Sequence, residues 1–249
     1  MRAYWALTRR ELAGFFLSIT GYVIIAATAF LLGLSFVILL VNLQQEPTPM
    51  PVTEIFYIKG FFWLILLLTV PVITMRLFAL EKYSGTFETL MTTPVSEVQL
   101  VAAKFTAALA FYMIIWLPLL GCLLIVRHYS NQTSMLDPGA VGSTFLGILL
   151  LGSVFISLGC FASSLTRSQG TAAMISLVCS ICLFLVSYLT QDQSALDWQS
   201  RTLAYLRLPD QMNDFVRGVV DTRPVVLYLS LTFLFLFLTL RVVESRRWK

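Results

Sequence analysis

Six long, continuously apolar runs dominate the amino-acid sequence. They cover about residues 21–41, 60–80, 105–126, 140–163, 171–190 and 224–243. A helix needs about 20 residues to cross a hydrocarbon core of about 30 Å, so each run is long enough to span a membrane. Apolar residues do not alternate with polar ones, as they would in the strands of a membrane barrel. We therefore expect an all-α integral membrane protein with six transmembrane helices.

Charge gives the expected orientation of these helices. Only 12% of the 249 residues are charged, against about 25% in a soluble domain. Six crossings place both termini on one side, and eleven of the 17 Lys and Arg residues fall there, which predicts cytoplasmic termini. The net charge of +4 is thus an orientation signal, and we expect no nucleic-acid partner. The first run is too long for a signal-peptide core, so we expect the N-terminal segment to be retained.

The sequence offers little chemistry of its own. No lysine follows a glycine, so the phosphate-binding pattern G-x-x-x-x-G-K-[ST] is absent and the chain is not expected to hydrolyse ATP. His128 is the sole histidine and lies on the predicted outer side, while the C-x-x-C of Cys179 and Cys182 lies inside a span without a second ligand pair. We therefore expect no catalytic, cofactor-binding or metal-binding residues. Ionisable residues are nearly missing from the span centres, so a partner would have to supply energy for any transport.

The segment between the second and third runs holds the most informative pattern. It predicts a break at Gly85 and a short helix that begins at Thr86, carries Glu88 in its first turn and stops before Pro94. An S-x-x-Q capping box at Ser96 then opens the third span. A short surface helix tied to two spans suits a mechanical coupler. Spacing alone fits an ordinary capped loop equally well.

This segment resembles the loop of ABC-2 type permeases, which has an Arg at the end of span two, then E-x-x-x-G-T-x-E-x-L, P-V-S, and a Lys opening span three. The matching residues are Arg76, Glu81, Gly85, Thr86, Glu88, Leu90, Pro94, Val95, Ser96 and Lys104. The N-terminal R-E-L, F-F and G-Y and the C-terminal D-F-V-R-G are similar to the permease family associated with gliding motility, although Thr20 stands where that family has Pro. The resemblance covers nearly the whole chain and implies one transmembrane domain over 1–249.

The resemblance also implies a function. It implies the permease subunit of an ATP-driven exporter in the bacterial inner membrane, paired with a second identical or different permease. A cytoplasmic ABC ATPase dimer would bind the ATP and Mg²⁺, and an accessory protein with an extracytoplasmic domain is a further possible partner. The alternative is a membrane scaffold or mechanotransmission subunit of an envelope or motility complex that moves no solute.

By the same resemblance, the coupling loop at 81–104 would contact the ATPase, helped by the N-terminal segment. The implied contact residues are Arg10, Glu11, Glu81, Gly85, Thr86, Glu88, Pro94 and Lys104.

Two further segments have amphipathic patterns. Within 1–20, Trp5, Leu12, Phe16 and Ile19 have helix-like spacing around two arginines, which predicts a helix in the headgroup region of the membrane.

Between the fifth and sixth spans, in the outer segment 191–223, four residues recur on one helical face: Met212, Phe215, Val216 and Val219. A short outer helix is expected there, where ABC-2 permeases have re-entrant helices. Phe215, Arg217 and Gly218 are therefore candidates for an outer gate. A solvated hairpin without a gating role is the alternative.

Overall fold

A computed structural model of the chain describes residues 2–45, 53, 57, 61–86, 96–129, 137–189 and 207–247. Helices are the only regular secondary structure in these ranges. Their bounds are α1 Arg2–Phe16, α2 Ile19–Gln45, α3 Phe62–Thr74, α4 Ala79–Ser84, α5 Glu97–Tyr129, α6 Pro138–Leu165, α7 Gln169–Leu189, α8 Leu208–Val216 and α9 Thr222–Arg247. The all-α prediction is confirmed.

Six helical stretches are long and apolar enough to cross a membrane, as the six apolar runs predicted. They are Ile19–Val41, Phe62–Ser84, Glu97–Val126, Pro138–Leu165, Gln169–Ser187 and Thr222–Ser245. The second stretch contains both α3 and α4, with a turn between them. This protein is therefore a multi-pass membrane protein.

The fourth span, α6, forms the centre of the bundle. It packs against α3, α5, α7, α8 and α9 and is mostly buried, whereas α2, α7 and α9 keep wide apolar faces exposed. Glycine makes the close packing of α6 possible. A Cβ atom added at Gly152 would lie 2.8 Å from Cδ1 of Tyr112, and one at Gly159 would lie 2.7 Å from Cβ of Thr74. Small residues at such crossings allow membrane helices to approach closely.

Local side chains fix several helix ends. The Gln99 N–H donates to Ser96 Oγ at 3.3 Å, which confirms the predicted cap at the start of α5. Asp137 caps α6, because its Oδ1 accepts a hydrogen bond from the Gly139 N–H at 3.0 Å. Gly85 ends α4 in the left-handed conformation at φ 73°, so the predicted break at this glycine is also confirmed.

The N-terminal helix α1 lies along α5. Phe15 stacks on Phe111 with ring centroids 4.7 Å apart and is buried. Of the predicted stripe, Leu12 and Phe16 pack against the core, whereas Trp5 and Ile19 are 69% and 83% exposed. Ile19 is instead the first residue of α2, because the chain turns at 17–18. Trp5 remains available to lipid, since its side chain is exposed.

The bundle has two distinct ends. We call the end that carries α1 and α4 the α1 end, and the opposite end the α8 end. These names fix no side of the membrane.

Candidate functional site

The site begins where the second span breaks into α3 and α4. The chain turns at 75–78, and the Ser163 hydroxyl of α6 fills the break by accepting hydrogen bonds from the backbone N–H groups of Phe78 and Ala79, both at 3.1 Å. Ser163 is fully buried. The first N–H groups of a helix have no partner within the helix, and leaving them unpaired in a buried place is costly. A serine on another span therefore supports the start of α4.

A second contact joins α4 to the same part of α6. The Lys82 ammonium donates to the backbone carbonyl of Ser164, one residue after Ser163. The last turn of a helix leaves carbonyl groups without helical partners, so a lysine is well suited to this place. Together, Ser163 and Lys82 hold α4 against the end of α6.

Four charged side chains meet between α1, α4 and α5. The Lys104 ammonium lies 3.1 Å from Glu11 Oε1 and 2.9 Å from Glu81 Oε1. Arg10 Nη2 lies 2.7 Å and 3.2 Å from the same two oxygen atoms. Each cation thus contacts both carboxylates. We call this closed arrangement of Arg10, Glu11, Glu81 and Lys104 the four-charge ring.

Burial raises the free-energy cost of breaking the ion pairs of the ring. The Lys104 side chain is only 1% exposed, those of Glu11 and Glu81 are 16% and 14% exposed, and Arg10 is 54% exposed at the rim. A buried charge without a partner costs several kcal/mol or more, so the two carboxylates offset the cost of burying the lysine inside the bundle. The Lys104 ammonium also lies 5.5 Å from the centroid of the Phe78 ring.

The ring shifts the proton equilibria of its two members on α1. Burial opposes ionisation of Glu11, but the charges and hydrogen bonds of Lys104 and Arg10 outweigh it and lower the pKa of the carboxyl below its ordinary value of 4.5. The hydrogen bond from Arg10 to Glu11 raises the pKa of the guanidinium, in spite of partial burial. Both shifts favour the charged forms of Glu11 and Arg10.

Arg76, the first residue of the loop pattern, connects the same region to the junction of α1 and α2. Its Nη1 donates to Ser18 Oγ at 2.9 Å and also to Thr20 Oγ1. Ser18 in turn accepts a hydrogen bond from the Gly21 N–H at 3.2 Å. The turn inside the second span is thereby tied to the turn that precedes the first span.

The predicted contact residues fall into three groups. Arg10, Glu11, Glu81 and Lys104 come together in the four-charge ring, where Lys104 faces carboxylates of its own chain instead of the surface. Gly85 and Thr86 are exposed at the end of α4, and the Thr86 hydroxyl lies 2.8 Å from that of Ser84.

Glu88 and Pro94 lie outside the described residues, as does the predicted short helix after Thr86. Sequence reasoning missed Ser163 as a functional residue. Its spacing of four from Gly159 indicates close helix packing but gives no sign of a hydrogen-bonding role.

At the α8 end, the outer segment forms a short helix that is fixed firmly to the bundle. Phe215 is 1% exposed, and its backbone carbonyl accepts a hydrogen bond from Ser143 Oγ at 2.6 Å. The Thr53 hydroxyl donates to the Val216 carbonyl at 2.8 Å. A Cβ atom at Gly147 of α6 would lie 3.0 Å from that of Phe215, so the glycine makes room for this ring.

The predicted face of this outer helix is only partly correct. Met212, Phe215 and Val216 are buried as expected, but Val219 is 57% exposed. The helix ends at Val216 and the chain turns at Gly218, which has φ 89°, so Val219 does not continue the helical face. Of the other gate candidates, Gly218 packs near Ala140 and Arg217 is exposed.

The bundle and its charged site define a class of protein, namely a polytopic α-helical membrane protein whose interspan segments are anchored to the spans by buried polar contacts. The family model of the ABC-2 family transporter protein matches residues 31–243, and the chain belongs to this family. Proteins of the family are membrane subunits, typically not catalytic, that generally work with a cytoplasmic ABC ATPase. Among curated proteins, none matches this chain significantly.

Proposed function

We propose that this chain is the permease subunit of an ATP-driven ABC exporter in the bacterial inner membrane, with both termini and the α1 end in the cytoplasm. A partner ABC ATPase dimer binds ATP and Mg²⁺, and a second permease, identical or different, completes the path for the substrate. The sequence resemblance to the gliding-motility permeases supports placing the chain near that group, with an accessory extracytoplasmic protein as a further partner.

The observation that carries the proposal is the anchoring of α4. This helix belongs to the predicted coupling loop at 81–104, and it is held to α6 by Ser163 and Lys82 and to α5 by the ion pair of Glu81 with Lys104. A force applied to the loop therefore reaches two spans at once through short polar contacts. A subunit that receives mechanical work from an ATPase needs such a connection.

The Glu88→Lys substitution tests the docking of the ATPase. The tagged chain is purified from its native membrane, and the ABC ATPase that accompanies it is identified by mass spectrometry. We expect Glu88→Lys to lose this ATPase and Glu88→Gln to retain more of it, because reversal adds repulsion where neutralisation only removes attraction. Glu244→Lys, at the same end of the bundle but on α9, is the matched control. Unchanged ATPase recovery and ATP-driven transport with Glu88→Lys would contradict the proposal.

Reconstitution separates the exporter from the scaffold. The purified complex is placed in liposomes, and ATPase activity is measured with and without extracts of the native cell envelope. An exporter shows substrate-dependent ATPase activity and ATP-dependent movement of a compound across the bilayer. ATPase activity without any such movement favours the scaffold.

A further inference from the structure

Lys104 lies between α1 and α4, two helices that are far apart in the sequence. Its ammonium contacts Glu11 of α1 on one side and Glu81 of α4 on the other, at 3.1 and 2.9 Å. The lysine itself belongs to α5, the third span. Three separate elements therefore meet at one buried cation.

The four-charge ring is balanced, with two positive and two negative side chains. Each carboxylate contacts both cations through its own Oε1 atom. Removing Lys104 would leave two buried carboxylates with a single cation, Arg10, that is half exposed. Like charges at such short range repel, so Arg10 alone would have to hold the carboxylates of α1 and α4 together, and their connection would weaken.

Other contacts of α1 lead to α5. The Tyr4 hydroxyl donates to Thr106 Oγ1 at 2.9 Å, and Phe15 stacks on Phe111. These contacts can hold α1 on the bundle without fixing it to α4. The polar connection between α1 and α4 that the structure describes is the four-charge ring.

We propose that Lys104 is a positioning residue that fastens α1 to α4, so that the interfacial helix and the start of the coupling loop move as one unit. The fastening is a property of the chain alone, whereas its use in transmission rests on the proposed function. In that function, α1 moves together with the coupling loop. ATPase movement then displaces Trp5 and Arg9, which are exposed on α1, within the headgroup layer.

Distances between spin labels test the fastening in the full chain. The four native cysteines are replaced, labels are attached at Trp5→Cys and Tyr83→Cys, and the protein is placed in phosphatidylglycerol-containing nanodiscs. Both positions are well exposed, at 69% and 79%. We expect one narrow distance peak in the parent and loss of that peak with Lys104→Met. Arg241→Met, which removes an exposed cation paired with Glu244 on α9, is the matched control and should keep the peak.

A combined variant separates charge balance from packing. Lys104→Met with Glu11→Gln leaves one carboxylate and one cation, so we expect it to recover part of the narrow peak that Lys104→Met alone loses. If Lys104 acted only through the packing of its aliphatic stem, the double variant would be no better than the single one. That result, or an unchanged peak in Lys104→Met, overturns the proposal.

A reference label pair guards against misfolding. Val98→Cys and Ser245→Cys lie on α5 and α9, and their distance should stay unchanged in every variant. If it changes in Lys104→Met, Glu11→Gln replaces that variant, because it keeps the lysine and removes only the carboxylate of α1. Loss of the α1–α4 peak in Glu11→Gln then supports the proposal, and retention overturns it.

The accompanying ATPase provides the test of transmission. With the co-purified ATPase bound, we expect ATP to shift the distance from Tyr83 to Ser245 while the distance from Trp5 to Tyr83 stays constant. A change between Trp5 and Tyr83 in the parent would show that α1 and α4 move separately and would overturn the proposal. Failure of any ATPase to co-purify counts against the proposed function alone, since the label distances in the isolated chain still test the fastening.

Discussion

The hydroxyl of Ser163 accepts a hydrogen bond from the Ala79 N–H at 3.1 Å, and this bond joins the fourth span to the first turn of α4. The same hydroxyl also accepts from the Phe78 N–H. One buried oxygen atom thus accepts hydrogen bonds from two backbone N–H groups at the break in the second span.

Ser163→Ala should weaken the start of α4. Two buried N–H groups would lose their acceptor, at a cost of about 1–3 kcal/mol for an unsatisfied buried group. Hydrogen–deuterium exchange should be faster at 78–84 in the variant. Ser245→Ala is the control, because that serine is exposed and bonds only to the Val242 carbonyl within its own helix. Equal exchange in Ser163→Ala and the parent would show that the hydroxyl does not support the break.

Gly159→Ala should destabilise the bundle by forcing α6 away from α3. The new methyl would lie 2.7 Å from Cβ of Thr74, and such overpacking typically costs about 1–3 kcal/mol. The midpoint of thermal unfolding in detergent is the measurement. Gly142→Ala provides a control on the same helix, since nothing lies within 4 Å of its added methyl. We expect the control to match or exceed the parent in stability, and similar losses for both variants would contradict the explanation.

Acid should release α1 through the protonation of Glu11. The pKa of this carboxyl is lower on the bundle than its ordinary value of 4.5, so its stabilisation is complete above about that value and declines as the pH falls through the lowered one. The label pair on Trp5 and Tyr83 should therefore keep its narrow peak at neutral pH and lose it in acid. Glu11→Gln, which cannot titrate at this position, should show a weaker dependence on pH. An equal dependence in both proteins would exclude Glu11 as the group responsible.

Phe215→Ala should loosen the outer helix α8. The ring is 1% exposed and fills the space left by Gly147, and truncation of a buried Phe costs about 3–5 kcal/mol. Hydrogen–deuterium exchange at 208–217 should rise strongly, with smaller changes at the α1 end. Val219→Ala, three residues beyond the helix and 57% exposed, should leave exchange near the parent level. Comparable increases in the two variants would argue against anchoring through Phe215.

The spans were predictable because apolar composition and length alone decide which segments cross a membrane. The break at 75–78 was not, since apolar residues lie on both sides of Arg76 and hydropathy does not report the backbone conformation. The support for that break comes from Ser163, which is 85 positions away from Phe78 in sequence.

Motif resemblance identified the members of the four-charge ring but not their contacts. Arg10 and Glu81 are 71 positions apart, and they meet because α1 folds back along α5 while the second span turns after Thr74. Sequence spacing cannot show such a meeting. For Val219 the sequence predicted a place on the buried helical face that the residue does not take. Helical periodicity was extended past the point where Gly218 turns the chain.

The closed charge balance of Arg10, Glu11, Glu81 and Lys104 has an evolutionary consequence. A lineage that neutralises the buried lysine would be left with an excess acidic group, so the substitution should persist only with a second change at position 11 or 81. Positions 11, 81 and 104 should accordingly covary among relatives, with losses of charge occurring in opposite-sign pairs. The same rule advises a protein engineer to replace the lysine and one carboxylate together.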